Sequence, residues 1–232
     1  MFGKDSVRVV TEEWEPYNYS ENGELVGIST EIVKATLEKA GLEGDFRIYP
    51  WARSYHLALT TPNTIIYTIY RNQEREDKFF WIGPINLAPS HYFYKLQSRS
   101  DIDLGTIDDA RGYQIGVLAE YYSHQKLKEE GFDEESLVIS RTSELNIKML
   151  IAGRVDLIPG EKNAIQQDLV EMNLPDGLIV PALQIFTTEA MAYMAVNRQS
   201  SPELVEKLMK AFEIVKGEGF LEETAEKYNC AP

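Results

Sequence analysis

Residues 65–85 read IIYTIYRNQEREDKFFWIGPI. The stretch opens on a β-branched and aromatic run, Ile65-Ile66-Tyr67-Thr68-Ile69-Tyr70, with the composition of a buried strand. Arg71 and Arg75 follow, and the stretch closes on Phe79-Phe80-Trp81 and Gly83-Pro84. A buried strand that delivers arginines at its carboxyl end resembles the anion-binding arrangement of open α/β sheets, whose ligands sit beyond the carboxyl ends of the strands. Taken alone, Arg71 and Arg75 fit a second description as well, two solvated charges in a loop full of Glu and Asp.

Upstream, the pattern leading into this strand is β-α-β-α. Val7–Val10 is a strand, followed by the aromatic loop Trp14-Glu15-Pro16-Tyr17 and an Asn22-Gly23 turn. A helix is predicted from about Ser29 to Ala40, with Ser29 or Thr30 as N-cap and Gly41 at the C-cap. Phe46–Tyr49 is a strand, and Pro50-Trp51-Ala52-Arg53 leads into a helix ending near Thr60. Parallel strands with crossover helices follow from this order.

Downstream, a loop is predicted through Pro84–Pro89, then a strand His91–Leu96, and the α/β pattern restarts at Tyr113–Leu118. Helices over Tyr122–Glu130, Ser143–Ala152 and Glu161–Met172 alternate with strands at Leu137–Ile139, Val155–Pro159 and Leu178–Val180. Leu145, Met149 and Leu150 are expected to face inward. After an extended passage at Met191–Val196, Ser201 and Pro202 start a helix with Leu204, Leu208, Phe212 and Val215 on one face. The chain therefore reads as two α/β units of similar size.

Composition narrows the function classes. The 232 residues suffice for one large domain or two lobes. Thirty-seven acids against 23 bases give a net charge of -14, which argues against nucleic acid or an anionic membrane as partner. No apolar run reaches the roughly 18 residues of a membrane-spanning helix. The single cysteine, Cys230, cannot form an internal disulfide, and His56, His91 and His124 are scattered without ligand spacing. No metal and no cofactor are expected. The N-terminus lacks the apolar segment of a secretion signal. Either the chain stays in the cytoplasm or a signal preceded it, and Met1-Phe2-Gly3-Lys4 directly before the first strand fits the second.

Several ordered features carry a resemblance. They are Trp14-Glu15-Pro16-Tyr17, Gly23-Glu24-Leu25-Val26-Gly27-Ile28, Glu74-Arg75 followed by Phe80-Trp81-Ile82-Gly83-Pro84, and Ile115-Gly116-Val117. Gly153-Arg154-Val155-Asp156, Ser201-Pro202-Glu203-Leu204 and Gly217-Glu218-Gly219-Phe220 through Lys227-Tyr228 complete the series. With these the chain resembles a divergent branch of the family-3 extracellular solute-binding proteins, the amino-acid-binding components of ABC importers. The resemblance implies the type II periplasmic-binding-protein fold, two α/β lobes joined by two crossing hinge strands. It assigns residues 1–88 and 189–232 to lobe one and 89–188 to lobe two, with hinges at Pro84–Pro89 and Phe186–Glu189.

The resemblance also implies site roles. Arg75 stands at the position of the ligand-carboxylate arginine, where a planar guanidinium makes two parallel charge-assisted bonds. Arg71 would be a second cation or a partner of Glu74. Tyr67, Thr68 and Tyr70 end the strand where hydroxyls and backbone groups meet the carboxylate, with tyrosines in place of the usual small serines. Trp14, Tyr17 and Trp51 would cover the ligand with aromatic surface. Arg53 is either a cleft or a surface residue. Glu161 stands where an aspartate commonly takes the ligand's α-amino group, one methylene longer. Glu120, Tyr121 and Tyr122 replace the small residues usual at a helix N-terminus that binds the carboxylate. No catalytic residues are implied.

The function implied is a periplasmic or extracellular binding protein. It would act as a monomer, close on a small polar metabolite, an amino acid or related carboxylate, and deliver it to a membrane permease. Two other readings are a cyclohexadienyl-dehydratase-like enzyme on the same scaffold, with Glu161 as general acid, and the sensing module of a receptor.

Overall fold

The computed structural model describes residues 6–87, 90–186 and 191–228. The chain divides into two compact units, Met1–Ala88 with Ala190–Pro232, and Pro89–Glu189. The first part of unit one contains β1 (Ser6–Thr11), β2 (Tyr19–Glu21), β3 (Glu24–Val26), α1 (Ile28–Ala40), β4 (Glu43–Ile48), α2 (Trp51–Thr60), β5 (Thr64–Tyr70) and β6 (Phe79–Leu87). Unit two contains β7 (His91–Leu96), β8 (Ile115–Leu118), α3 (Tyr122–Glu129), β9 (Leu137–Ser140), α4 (Ser143–Ile151), β10 (Ile158–Glu161), α5 (Lys162–Glu171) and β11 (Ile179–Phe186). The chain returns to unit one with β12 (Met191–Asn197), α6 (Pro202–Gly217) and α7 (Phe220–Lys227).

The five-stranded sheet of unit one runs β4-β1-β5-β12-β6. β1 is parallel to β4 and β5, as the crossover helices require, and β12 is antiparallel to β5 and β6. All seven residues of β5 are buried, which explains its unbroken apolar and aromatic run. In unit two, β7 sits between β10 and β11 in an antiparallel sheet, and β8 pairs in parallel with β9. Successive β7 side chains face opposite ways. Phe93 accordingly packs with Ile115, Val117 and Phe186, while Tyr94 packs with Ile147, Val155 and Ile158.

Four local differences from the sequence reading have physical causes. Phe79–Leu87 is a continuous strand rather than a loop from Pro84 onward. It lies at the sheet edge, where a proline without an N–H is tolerated. The N-cap of α1 is Gly27, not Ser29 or Thr30, and both of those side chains are buried. β10 begins at Ile158, so Asp156 precedes it and is held by Arg99 Nη1 at 2.6 Å. On α4 the inward residues are Asn146, Ile147 and Leu150, whereas Leu145 is exposed. The expected hinge passages fall partly on residues 88, 89 and 187–189, and Cys230 on the C-terminal tail; these lie outside the described residues.

Gly27 has φ 112°, and a Cβ there would lie 2.5 Å from the Tyr17 carbonyl oxygen. Gly41 closes α1 with φ 64° and open space around it. Gly27→Ala should therefore cost at least about 2 kcal/mol, combining strain and clash. Gly41→Ala should cost only about 1 kcal/mol. Urea unfolding of the two variants compares these costs directly, and equal losses would contradict the account.

Candidate functional site

In unit one the candidate residues gather at the carboxyl ends of β1 and β5. After β1 the chain makes a tight loop in which Trp14 N donates to Asn18 O at 2.7 Å and Tyr17 N donates to Trp14 O at 2.8 Å. Asn18 Nδ2 ties the loop to Glu12 O at 2.7 Å. The loop presents Trp14 edge-on to Tyr17, with centroids 5.0 Å apart, and to Tyr70, 5.6 Å away.

β5 reaches this place through a bulge. The β5–β12 register shifts between Tyr193 and Met194, and opposite that shift Thr68 adopts φ 58°. Left-handed backbone is unfavourable for a β-branched residue and marks positions that the surrounding structure over-determines. The bulge also re-aims the side chain. Thr68 is 4% exposed, and its Oγ1 has no hydrogen-bond partner among the described residues. The neighbouring Tyr67 is a core residue whose hydroxyl meets Thr30 Oγ1 at 3.0 Å. Burial pushes its proton affinity well above the usual phenol range.

The two arginines of the opening stretch part company. Arg75 is 1% exposed. Its Nη1 donates to Tyr70 O at 3.0 Å, and its backbone N donates to Asn72 Oδ1 at 3.0 Å. The guanidinium carbon lies 5.3 Å from the Trp51 ring centre and 5.2 Å from that of Tyr55, both on α2. Those two rings are stacked on each other. Arg71 instead bonds Glu76 through Nε at 2.7 Å and Nη2 at 2.5 Å, and lies 5.7 Å from both Trp81 and Tyr193. The Arg71 hydrogen bonds hold the Glu76 carboxyl below the usual carboxylate range. The structure thus gives Arg71 a surface partner in Glu76, not Glu74, which pairs with Lys78. Arg53 is exposed and packs 4.0 Å over the Tyr49 ring.

In unit two the candidates lie around β7, β10 and α3. Glu161 is the last residue of β10 and the N-cap of α5, yet its side chain makes no capping bond. It stands opposite His91 in the β10–β7 register, with His91 Nε2 3.4 Å from Glu161 Oε1. Both are buried. Tyr122 opens α3 with Tyr121 as its N-cap, and the Tyr122 ring lies 5.9 Å from His91 and 5.7 Å from Phe186. Glu120, exposed just before them, has φ 63°. Burial, then the charges of Tyr92 and Glu161, push the Tyr94 phenol up to about 12.

Two participants escaped the sequence reading. Tyr55 follows Trp51 by one helical turn, a spacing that could have disclosed it. His91 could not be found this way, because only the strand register places it against Glu161. Among the described residues no group of His, Cys, Asp and Glu is arranged to hold a metal ion, and no helix is long and apolar enough to cross a membrane.

The chain matches the model of the bacterial extracellular solute-binding proteins, family 3, over residues 7–230. The protein belongs to this family. A similar curated protein is the probable amino-acid-binding protein YxeM of Bacillus subtilis (strain 168), 22% identical over 92% of this chain and 79% of its own. Among solved structures, a histidine kinase sensor domain with similarity to periplasmic binding proteins superimposes with a TM-score of 0.80 at 20% identity, covering 96% of this chain and 95% of its own. An ancestral arginine-binding protein bound to arginine gives 0.76 at 22% identity, over 97% of this chain and 98% of its own. The fold is the two-lobe type II arrangement.

Tyr55 is 2% exposed and supports both Trp51 and Arg75. Tyr55→Ala should cost about 3 kcal/mol or more, the usual loss for an emptied aromatic site. Urea unfolding measures the loss, and a change below about 1 kcal/mol would show that α2 does not anchor this face.

Proposed function

We propose that the protein is a non-enzymatic, extracytoplasmic binding protein, monomeric, that captures an amino acid or related small carboxylate for delivery to an ABC-type permease. Arg75 carries the reading. Its fork is oriented by Tyr70 O and by the faces of Trp51 and Tyr55 at the carboxyl end of β5. A rigid guanidinium there suits bidentate binding of a carboxylate. Thr68 contributes its hydroxyl, and Trp14, Tyr17, Tyr70 and Trp51 contribute aromatic surface. In unit two, Glu161 takes the amino group, with Tyr121 and Tyr122 beside it. Arg71 has a minor role, because its fork is already engaged by Glu76. The names of the curated relative and of the arginine-binding structure support an amino acid as ligand.

The mechanism proposed is closure on the ligand, in which a compound that makes contacts in only one of two conformations shifts the population toward it. The similarity to a histidine kinase sensor domain supports a second reading, a sensing module. A membrane segment and kinase encoded downstream in the same chain would favour that reading over transport.

A thermal-shift screen of the twenty L-amino acids and small carboxylates tests the proposal. A compound present at about 100 times its Kd should add about 2.7 kcal/mol of stability. Arg75→Ala should abolish the shift, and Arg71→Gln should leave it nearly intact. A hit that survives Arg75→Ala undiminished would sink the carboxylate assignment.

A further inference from the structure

We propose that His91 is a positioning residue for the Glu161 carboxylate, and that binding of an amino group at Glu161 releases the imidazolium proton of His91 to solvent. The inference rests on the reading of Glu161 as the amino-group acceptor. His91 and Glu161 are cross-strand partners on β7 and β10. They are 8% and 5% exposed, and Nε2 lies 3.4 Å from Oε1. A carboxylate so deeply buried is costly without compensation. The Glu161 side chain makes no capping bond to α5, and the His91 imidazole lies beside it.

The surroundings decide which group can change charge. His91 is walled by Phe186 on β11, with ring centres 6.1 Å apart, and by Tyr122 on α3 at 5.9 Å. Phe186 does not titrate. Among the described residues, titratable groups near the pair include the Tyr122 phenol beside His91 and the Tyr94 phenol within the field of Glu161. Phenols ordinarily keep their protons below about pH 10, and Tyr94 holds its own to about 12. Histidine is the side chain that ordinarily changes charge between about pH 5 and 8.

An ammonium group arriving at Glu161 places a second cation on a carboxylate that the imidazolium already faces. Apolar walls screen the two positive charges poorly. Losing the proton from Nδ1 removes the repulsion, while Nε2–H still faces Glu161 Oε1 and keeps the carboxylate oriented. Neutral imidazole thus serves the bound state and imidazolium the free state. By linkage, acid opposes ligand capture, with affinity falling by up to about tenfold per pH unit where His91 titrates.

Histidine-ring NMR on the full chain tests this. The three histidines give three signals, and H91Q identifies that of His91. In E161Q the His91 ring should lose its proton at lower pH than in the wild type. An equimolar mixture of the twenty L-amino acids, added to the wild type, should lower the His91 midpoint likewise. H91Q retains a side-chain N–H donor and should bind the mixture with little pH dependence between about pH 5.5 and 7.5. An unchanged His91 midpoint in E161Q overturns the pairing. If the mixture binds in an Arg75-dependent way and leaves the His91 midpoint where it was, this inference fails and the function above stands. If the mixture moves no signal at all, the amino-acid reading fails and carries this inference with it.

Discussion

The complete burial of β5 is the constraint on which unit one depends. The strand pairs with β1 on one side and β12 on the other, and the side chains along Thr64–Tyr70 are buried on both faces as well. Charge can appear only after the strand leaves the sheet, and the arginines begin at position 71. The bulge at Thr68 belongs to the same constraint. β12 shifts register against both β5 and β6 near Met194, so the ladders on its two sides fix the kink together. Left-handed backbone at a threonine costs on the order of 1–3 kcal/mol, and this double pairing is what can hold it.

The two arginines show how differently one residue type behaves a single turn of chain apart. Arg71 meets a carboxylate at the surface, where an exposed ion pair contributes little to stability. Arg75 meets π faces and a carbonyl in the interior. Orientation then comes from α2, whose Trp51 and Tyr55 lie on the same helical face. The function proposed for Arg75 depends on that support, because a bidentate contact tolerates little rotation of the fork.

Much of this was legible in the sequence because it is local. The β5 run, the Gly41 cap and the Ser201-Pro202 start of α6 each follow from residues within one turn. What was not legible depends on partners far along the chain. Gly27 rather than Ser29 caps α1 because the carbonyls of Pro16 and Tyr17, outside the helix, accept from the N–H groups of Ile28 and Ser29, and Tyr17 leaves no room for a Cβ at position 27. Pro84 sits within a strand because β6 is an edge, and an edge is a property of the sheet and not of the segment. His91 read as an isolated histidine because its partner is 70 positions away and becomes adjacent only through antiparallel register.

That register also explains why a glutamate rather than an aspartate is workable at position 161. The side chain extends from the end of β10, where it could turn back to cap α5 or reach across to β7. The longer arm favours the cross-strand contact, and His91 on the facing strand fixes it there. A carboxylate held in this way starts from a defined direction, so less conformational entropy would be lost on binding the amino group proposed for it. The aromatic walls that make the pair costly to bury are also what make it sensitive to one added charge, since the same low screening governs both effects.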